Sequence, residues 1–72
     1  MDNTASNTPD INELRSVPTV SVEEAGRYLG VSRAFAYSMV RAGDLPVIRL
    51  GTRRVRVPSA KLLAMLGVEV SA

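Results

Sequence analysis

Cysteine and histidine are both missing from this 72-residue chain. Without cysteine, neither a disulfide framework nor a thiolate zinc site can supplement a core that, at this length, lies near the smallest able to sustain a fold alone. A reducing compartment is the natural setting. With histidine gone as well, the usual nucleophiles, the neutral-pH general base and the commonest transition-metal ligands are unavailable. The seven acidic residues fall in no spacing that suggests a catalytic pair or a calcium loop. No catalytic residue, metal, cofactor or small-molecule substrate is therefore expected, and the chain is read as a non-enzyme. Apolar runs of the roughly 18 to 20 residues needed to span a bilayer are lacking, as are the regions of a secretory signal. A soluble cytoplasmic protein with no membrane partner is expected.

What the chain has is arginine in one place. The net charge of only +2 conceals an uneven distribution. Between Ser32 and Pro58 six arginines (33, 41, 49, 53, 54 and 56) face one acid, Asp44, a local balance of +5. Residues 1–20 carry Asp2, Asp10 and Glu13 against Arg15, a balance of −2. A polyanion responds to that local field rather than to the total.

The opening "MDNTASNTPD" is polar and predicts disorder. Thr8 and Pro9 then favour a short helix, over about residues 9–15, carrying Ile11 and Leu14 until "SVP" ends it. Two readings stand for residues 1–18: a loosely attached arm, or a strip (Ile11, Leu14) that docks on a neighbouring subunit. The domain proper, residues 19–67, starts with Ser21 and Glu24 in capping-box spacing, with Val20 and Ala25 as a hydrophobic staple. Val22, Gly26 and Leu29 share one stripe of the first helix. Gly30 suits a left-handed exit, and Ser32, two residues later, an N-cap. So tight a turn fits the steep crossing of two helices.

The second helix, "RAFAYSMVRA", ends at Gly43. Ala36, Met39 and Val40 share its inner face, and Ala34, Ser38 and Arg41 the opposite one, flanked by Tyr37. Small side chains there would let the helix approach another surface closely. Next, Val47 to Leu50 and Arg53 to Val57 read as strands joined by the two-residue loop Gly51-Thr52. That loop length predicts that Arg49 opposes Arg54 and Ile48 opposes Val55. One face would then hold Ile48, Leu50, Val55 and Val57, with Arg53 at the tip; the other would hold Arg49, Arg54 and Arg56 with Val47. Like charges directly across a ladder are unfavourable by a few tenths of a kcal/mol. The hairpin contains no acid to relieve them, which favours an anion-binding finger over a merely solvated face. Pro58 and Ser59 open a last helix with Leu62, Met65 and Leu66 as its buried stripe, closed by Gly67; residues 68–72 are a tail.

These parts make a small, mainly helical α+β domain: a winged helix-turn-helix with a two-stranded wing and a C-terminal helix. From Val20 to about Leu66 the chain resembles the excisionase, or recombination directionality factor, family of MerR-like DNA-binding domains. The likeness rests on "EAGRYLGVS", the tyrosine-containing second helix, "GDLP" and "GTRR". By that resemblance the chain is a free-standing, non-catalytic module that bends DNA. Ser32, Arg33, Ala34, Tyr37, Ser38 and Arg41 would face the major groove from the recognition helix. Gly51, Thr52, Arg53 and Arg54 would form the wing tip in the adjacent minor groove, with Arg49 and Arg56 as phosphate clamps.

Several positions keep two readings. Arg33 would meet a phosphate or a base edge. Tyr37 would hold a phosphate or seal the core. Phe35, where the family commonly has a small hydroxyl residue, would cap the core edge beside Met39 or touch DNA. Ser38 stands where the family often has arginine, and Gly26 stands for the usual alanine, permitting close helix packing. The implied partners are double-stranded DNA, a tyrosine- or serine-family integrase, and further copies of the chain bound head to tail through Ile11, Leu14 or the C-terminal tail. A bacterial host is implied too. The alternatives are a small transcriptional regulator of a mobile element, and a protein-interaction module that docks its basic hairpin on an acidic partner.

Overall fold

In the computed structural model, which describes residues 10–68, four helices surround a three-stranded antiparallel sheet. In chain order these are α1 (Ile11–Arg15), β1 (Thr19–Val20), α2 (Val22–Leu29), α3 (Arg33–Ala42), β2 (Ile48–Leu50), β3 (Arg54–Pro58) and α4 (Ser59–Met65). The expectations for residues 1–9 and 69–72, including an apolar tail as a contact surface, lie outside the described residues.

Local chemistry sets the helix ends. Ser21 accepts from the Glu24 amide at 3.0 Å while Glu24 accepts from the Ser21 amide at 3.0 Å, completing the capping box that starts α2. Such a cap contributes about 1 kcal/mol. Gly30 leaves α2 with φ +78°, and the Val31 amide bonds back to the Gly26 carbonyl at 2.9 Å. Ser32 begins α3 by accepting from the Phe35 amide at 3.1 Å. Only Gly30, Val31 and Ser32 separate the two helices.

Helices α2 and α3 touch where their side chains are smallest. A Cβ on Gly26 would sit 3.0 Å from Ala36 Cβ and 3.4 Å from the Val31 carbonyl oxygen. Ala25, Gly26 and Ala36 are all buried at this crossing. Gly26→Val should therefore cost about 2–3 kcal/mol, because added methyls in a filled contact force the helices apart. Urea denaturation measures this; an unchanged midpoint would show that the helices do not approach so closely.

The buried core comprises Leu14, Val20, Val22, Ala25, Ala36, Leu45, Val57, Leu62 and Leu63. Leu14 corrects the expectation for the N-terminal arm. Helix α1 starts at Ile11, with Asp10 as N-cap accepting from the Asn12 amide, and it packs on α4 with Leu14 wholly buried. Tyr28 fastens α1 further by donating its hydroxyl to the Asp10 carbonyl at 3.1 Å. Leu14 is thus unavailable as a strip for another subunit, and Ile11 is half-buried against the same core.

Helix α4 also departs from its expected stripe. Ser59, Leu62 and Leu63 are buried and Leu66 half-buried, whereas Met65 is 41 % exposed. Contacts with both α1 and β3 rotate the covered arc toward Leu63 and away from Met65.

The sheet order is β1-β3-β2, with Val20 opposite Val57 and Thr19 opposite Pro58. Strand β1 was not anticipated, being only two residues long. The hairpin register also differs from the sequence expectation by one residue: Ile48 opposes Arg56, Arg49 opposes Val55, and Leu50 opposes Arg54. The turn therefore holds three residues, Gly51, Thr52 and Arg53, with Gly51 at φ +74°. In this register every strand arginine faces an aliphatic residue, and the Arg49–Arg54 juxtaposition disappears. Alternation then sends Val57 inward, with Val47 and Val55 half-buried, while Ile48, Leu50, Arg54 and Arg56 share the outer face. Ile48 and Leu50 are 41 % and 49 % exposed, so they do not join the core as expected.

Candidate nucleic-acid interface

Helix α3 and the β2–β3 hairpin carry the residues that the sequence singles out. On α3, Ala36 is buried and Met39 and Val40 are half-buried, which leaves Ser32, Arg33, Ala34, Phe35, Tyr37 and Arg41 exposed. Phe35 is 55 % exposed and does not cap the core edge. Tyr37, at 37 %, lies at the boundary between the two readings given for it. Ser38 is half-buried, and its hydroxyl donates to the Phe35 carbonyl within the helix at 2.7 Å. That bond occupies the hydroxyl proton but leaves an oxygen lone pair to accept.

The positive end of α3 is its N-terminus, where unpaired amides concentrate. No acidic residue occupies its first turn; Arg33 does. A cation there is unfavourable to the helix by a few tenths of a kcal/mol. Glu23 of α2 offsets this by accepting from Arg33 Nε at 2.9 Å. Glu23 was missed in the sequence because it lies off the apolar stripe of α2, and nothing in that helix alone pairs it with Arg33.

In the hairpin, Arg49, Gly51, Thr52, Arg53 and Arg54 are exposed. Arg53 sits in the turn and Arg54 begins β3. The side chains of Arg41, Arg49, Arg53 and Arg54 meet no acid among the described residues. Arg56 is different. It is half-buried, and it donates from Nε to Thr19 Oγ1 at 3.2 Å and from Nη2 to the Thr19 carbonyl at 3.4 Å. It braces β1 against β3, a role that was invisible without β1.

Negative charge gathers on the α1–α2 side instead. A shallow recess there is lined by Glu13, Glu24, Arg27 and Tyr28. Burial pushes the Tyr28 phenol above its ordinary value, the carboxylates of Glu13, Glu24 and Asp10 push the same way, and Arg27 opposes them. Such a surface repels a polyanion. Among the described residues no group of acids is placed to hold a metal ion, and no helix is long and apolar enough to cross a membrane.

Two short helices crossing at a three-residue turn, followed by a hairpin whose Arg49, Arg53 and Arg54 meet no acid among the described residues, form an arrangement suited to a charged, grooved ligand. Comparison with curated proteins gives no match. A family model described as a helix-turn-helix domain matches residues 19–67, from β1 through the glycine that follows α4. The match covers well over half of the chain, which therefore belongs to the helix-turn-helix domain family.

Proposed function

We propose that this protein binds duplex DNA sequence-specifically, with α3 in the major groove and the turn Gly51–Thr52–Arg53 in the neighbouring minor groove, as an excisionase-like architectural factor. It bends attachment-site DNA, occupies adjacent sites cooperatively and directs an integrase of the tyrosine or serine class toward excision. The observation that carries the reading is the set of exposed arginines, 41, 49, 53 and 54, without acidic partners among the described residues, on the two elements that a winged helix-turn-helix presents to DNA.

Guanidinium groups suit this task because they are weakly hydrated and lose less than an ammonium on entering a narrow minor groove. Arg41 and Arg49 serve as phosphate contacts, and Arg56 does so less, because Thr19 engages its Nε and one terminal nitrogen. Ser32, Ala34, Tyr37 and Ser38 provide a close-fitting, hydrogen-bonding helix surface. Since Leu14 is internal, contacts between adjacent copies must use other surfaces.

Footprinting of the purified chain on the DNA flanking its own gene tests the proposal. Protected direct repeats spaced near one helical turn are expected, and the cognate integrase should excise a supercoiled substrate only when the chain is added. Uniform, sequence-blind protection, or excision indifferent to the chain, would overturn it.

A further inference from the structure

Arg33 is the one interface arginine that has an acid partner among the described residues. Both side chains are largely open to solvent, Arg33 at 72 % and Glu23 at 52 %, and an exposed pair of this kind adds little to stability. The pair gives the fold little, and it places a carboxylate next to the helix end that would enter the groove. A surface evolved simply to attract phosphate would leave that position uncharged.

From this geometry we infer that Glu23 is a positioning residue for specificity: it holds Arg33 by Nε, so that the guanidinium reads a base edge instead of clamping a phosphate. The inference rests on the DNA-binding reading above. Its physical basis is a difference between two ligands. A phosphate attracts Arg33 by net charge, and the carboxylate 2.9 Å away cancels most of that attraction while repelling the phosphate directly. A guanine edge instead offers two neutral acceptors, O6 and N7, and asks for two donors in a fixed fork. With Nε engaged by Glu23, the two terminal nitrogens of Arg33 remain to supply that fork, and the side chain gives up less conformational freedom on binding. Arg33 is also the first residue of α3, directly after the N-cap Ser32, and the N-terminal residues of a recognition helix are those that meet base edges.

The test compares two duplexes: the tightest sequence that the wild-type chain selects from a random pool, and a scrambled duplex of the same composition. Arg33→Ala should weaken the selected duplex by about 10- to 100-fold and the scrambled one far less, with the salt dependence of binding unchanged. Glu23→Gln, which keeps the shape and removes the charge, should strengthen scrambled-duplex binding about two- to fivefold and lower the selected-to-scrambled ratio about tenfold. In the Arg33→Ala background, Glu23→Gln should leave that ratio unmoved, a coupling that a purely structural role for Glu23 would not produce. Equal weakening of both duplexes by Arg33→Ala, with a shallower salt slope, would identify a phosphate clamp and overturn the inference. A ratio unaffected by Glu23→Gln would overturn it as well. A pool in which no sequence is enriched would instead remove the sequence-specific reading itself, and is distinguishable because it appears with the wild-type chain alone.

Discussion

Leu14→Ala is expected to destabilise the protein by about 3–5 kcal/mol and to leave much of it unfolded near physiological temperature. The side chain is fully buried, and Leu14 is the one buried residue through which α1 enters the core. Truncating a buried leucine loses the transfer energy of the removed atoms and adds the cost of a cavity that the surroundings refill only in part. Small domains have little in reserve, total stabilities being on the order of 5 kcal/mol at the low end. Ile11→Ala, at a half-buried position, should cost about 1 kcal/mol and serves as the control for general disturbance of α1. Equilibrium denaturation of the two variants provides the comparison. If Leu14→Ala cost no more than Ile11→Ala, α1 would not be docked on α4 in solution.

The second large effect concerns affinity. Arg53→Ala and Arg54→Ala together should weaken DNA binding about 100-fold at moderate salt, from about 1.4 kcal/mol per lost charged contact. Four arginines without acidic partners among the described residues, at the phosphates and in the minor groove, each displace about one counterion and predict a slope of log affinity against log salt of about −3 to −4, which the double variant should make shallower by about 2. Stability should stay within about 0.5 kcal/mol of wild type, since both side chains are exposed and hold no other element in place. Arg56→Ala makes an instructive contrast: by releasing Thr19 it should lower the melting temperature while changing affinity less. Wild-type affinity and slope in the Arg53/Arg54 double variant would show that the hairpin does not reach DNA.

Much of the fold is written in local signals. The Ser21 and Ser32 caps, the left-handed glycines 30 and 43, and the three-four spacing of apolar residues each act within a few bonds or one helical turn, so reading along the chain finds them. The concentration of arginine between Ser32 and Pro58 is likewise a property of composition. The hairpin shows where such reading stops. Gly51-Thr52 matches a two-residue turn, but turn preference amounts to tenths of a kcal/mol. The register instead satisfies three demands together: Val57 in the core beside Val20, no arginine opposite another, and pairing of β3 with β1 on its far side.

Helices, their ends and the position of the basic segment therefore follow from the chain alone, because those preferences are short-ranged. Folding in three dimensions settled the rest: Leu14 in the core, Leu63 in place of Met65, Arg56 tied to Thr19, and Arg33 tied to Glu23. Each of these depends on which distant side chain arrives at the same place. Arginine chemistry is the same at 33, 54 and 56, and only neighbours brought from elsewhere in the sequence make one an ion-pair partner, one a cation with no acid beside it among the described residues, and one a brace.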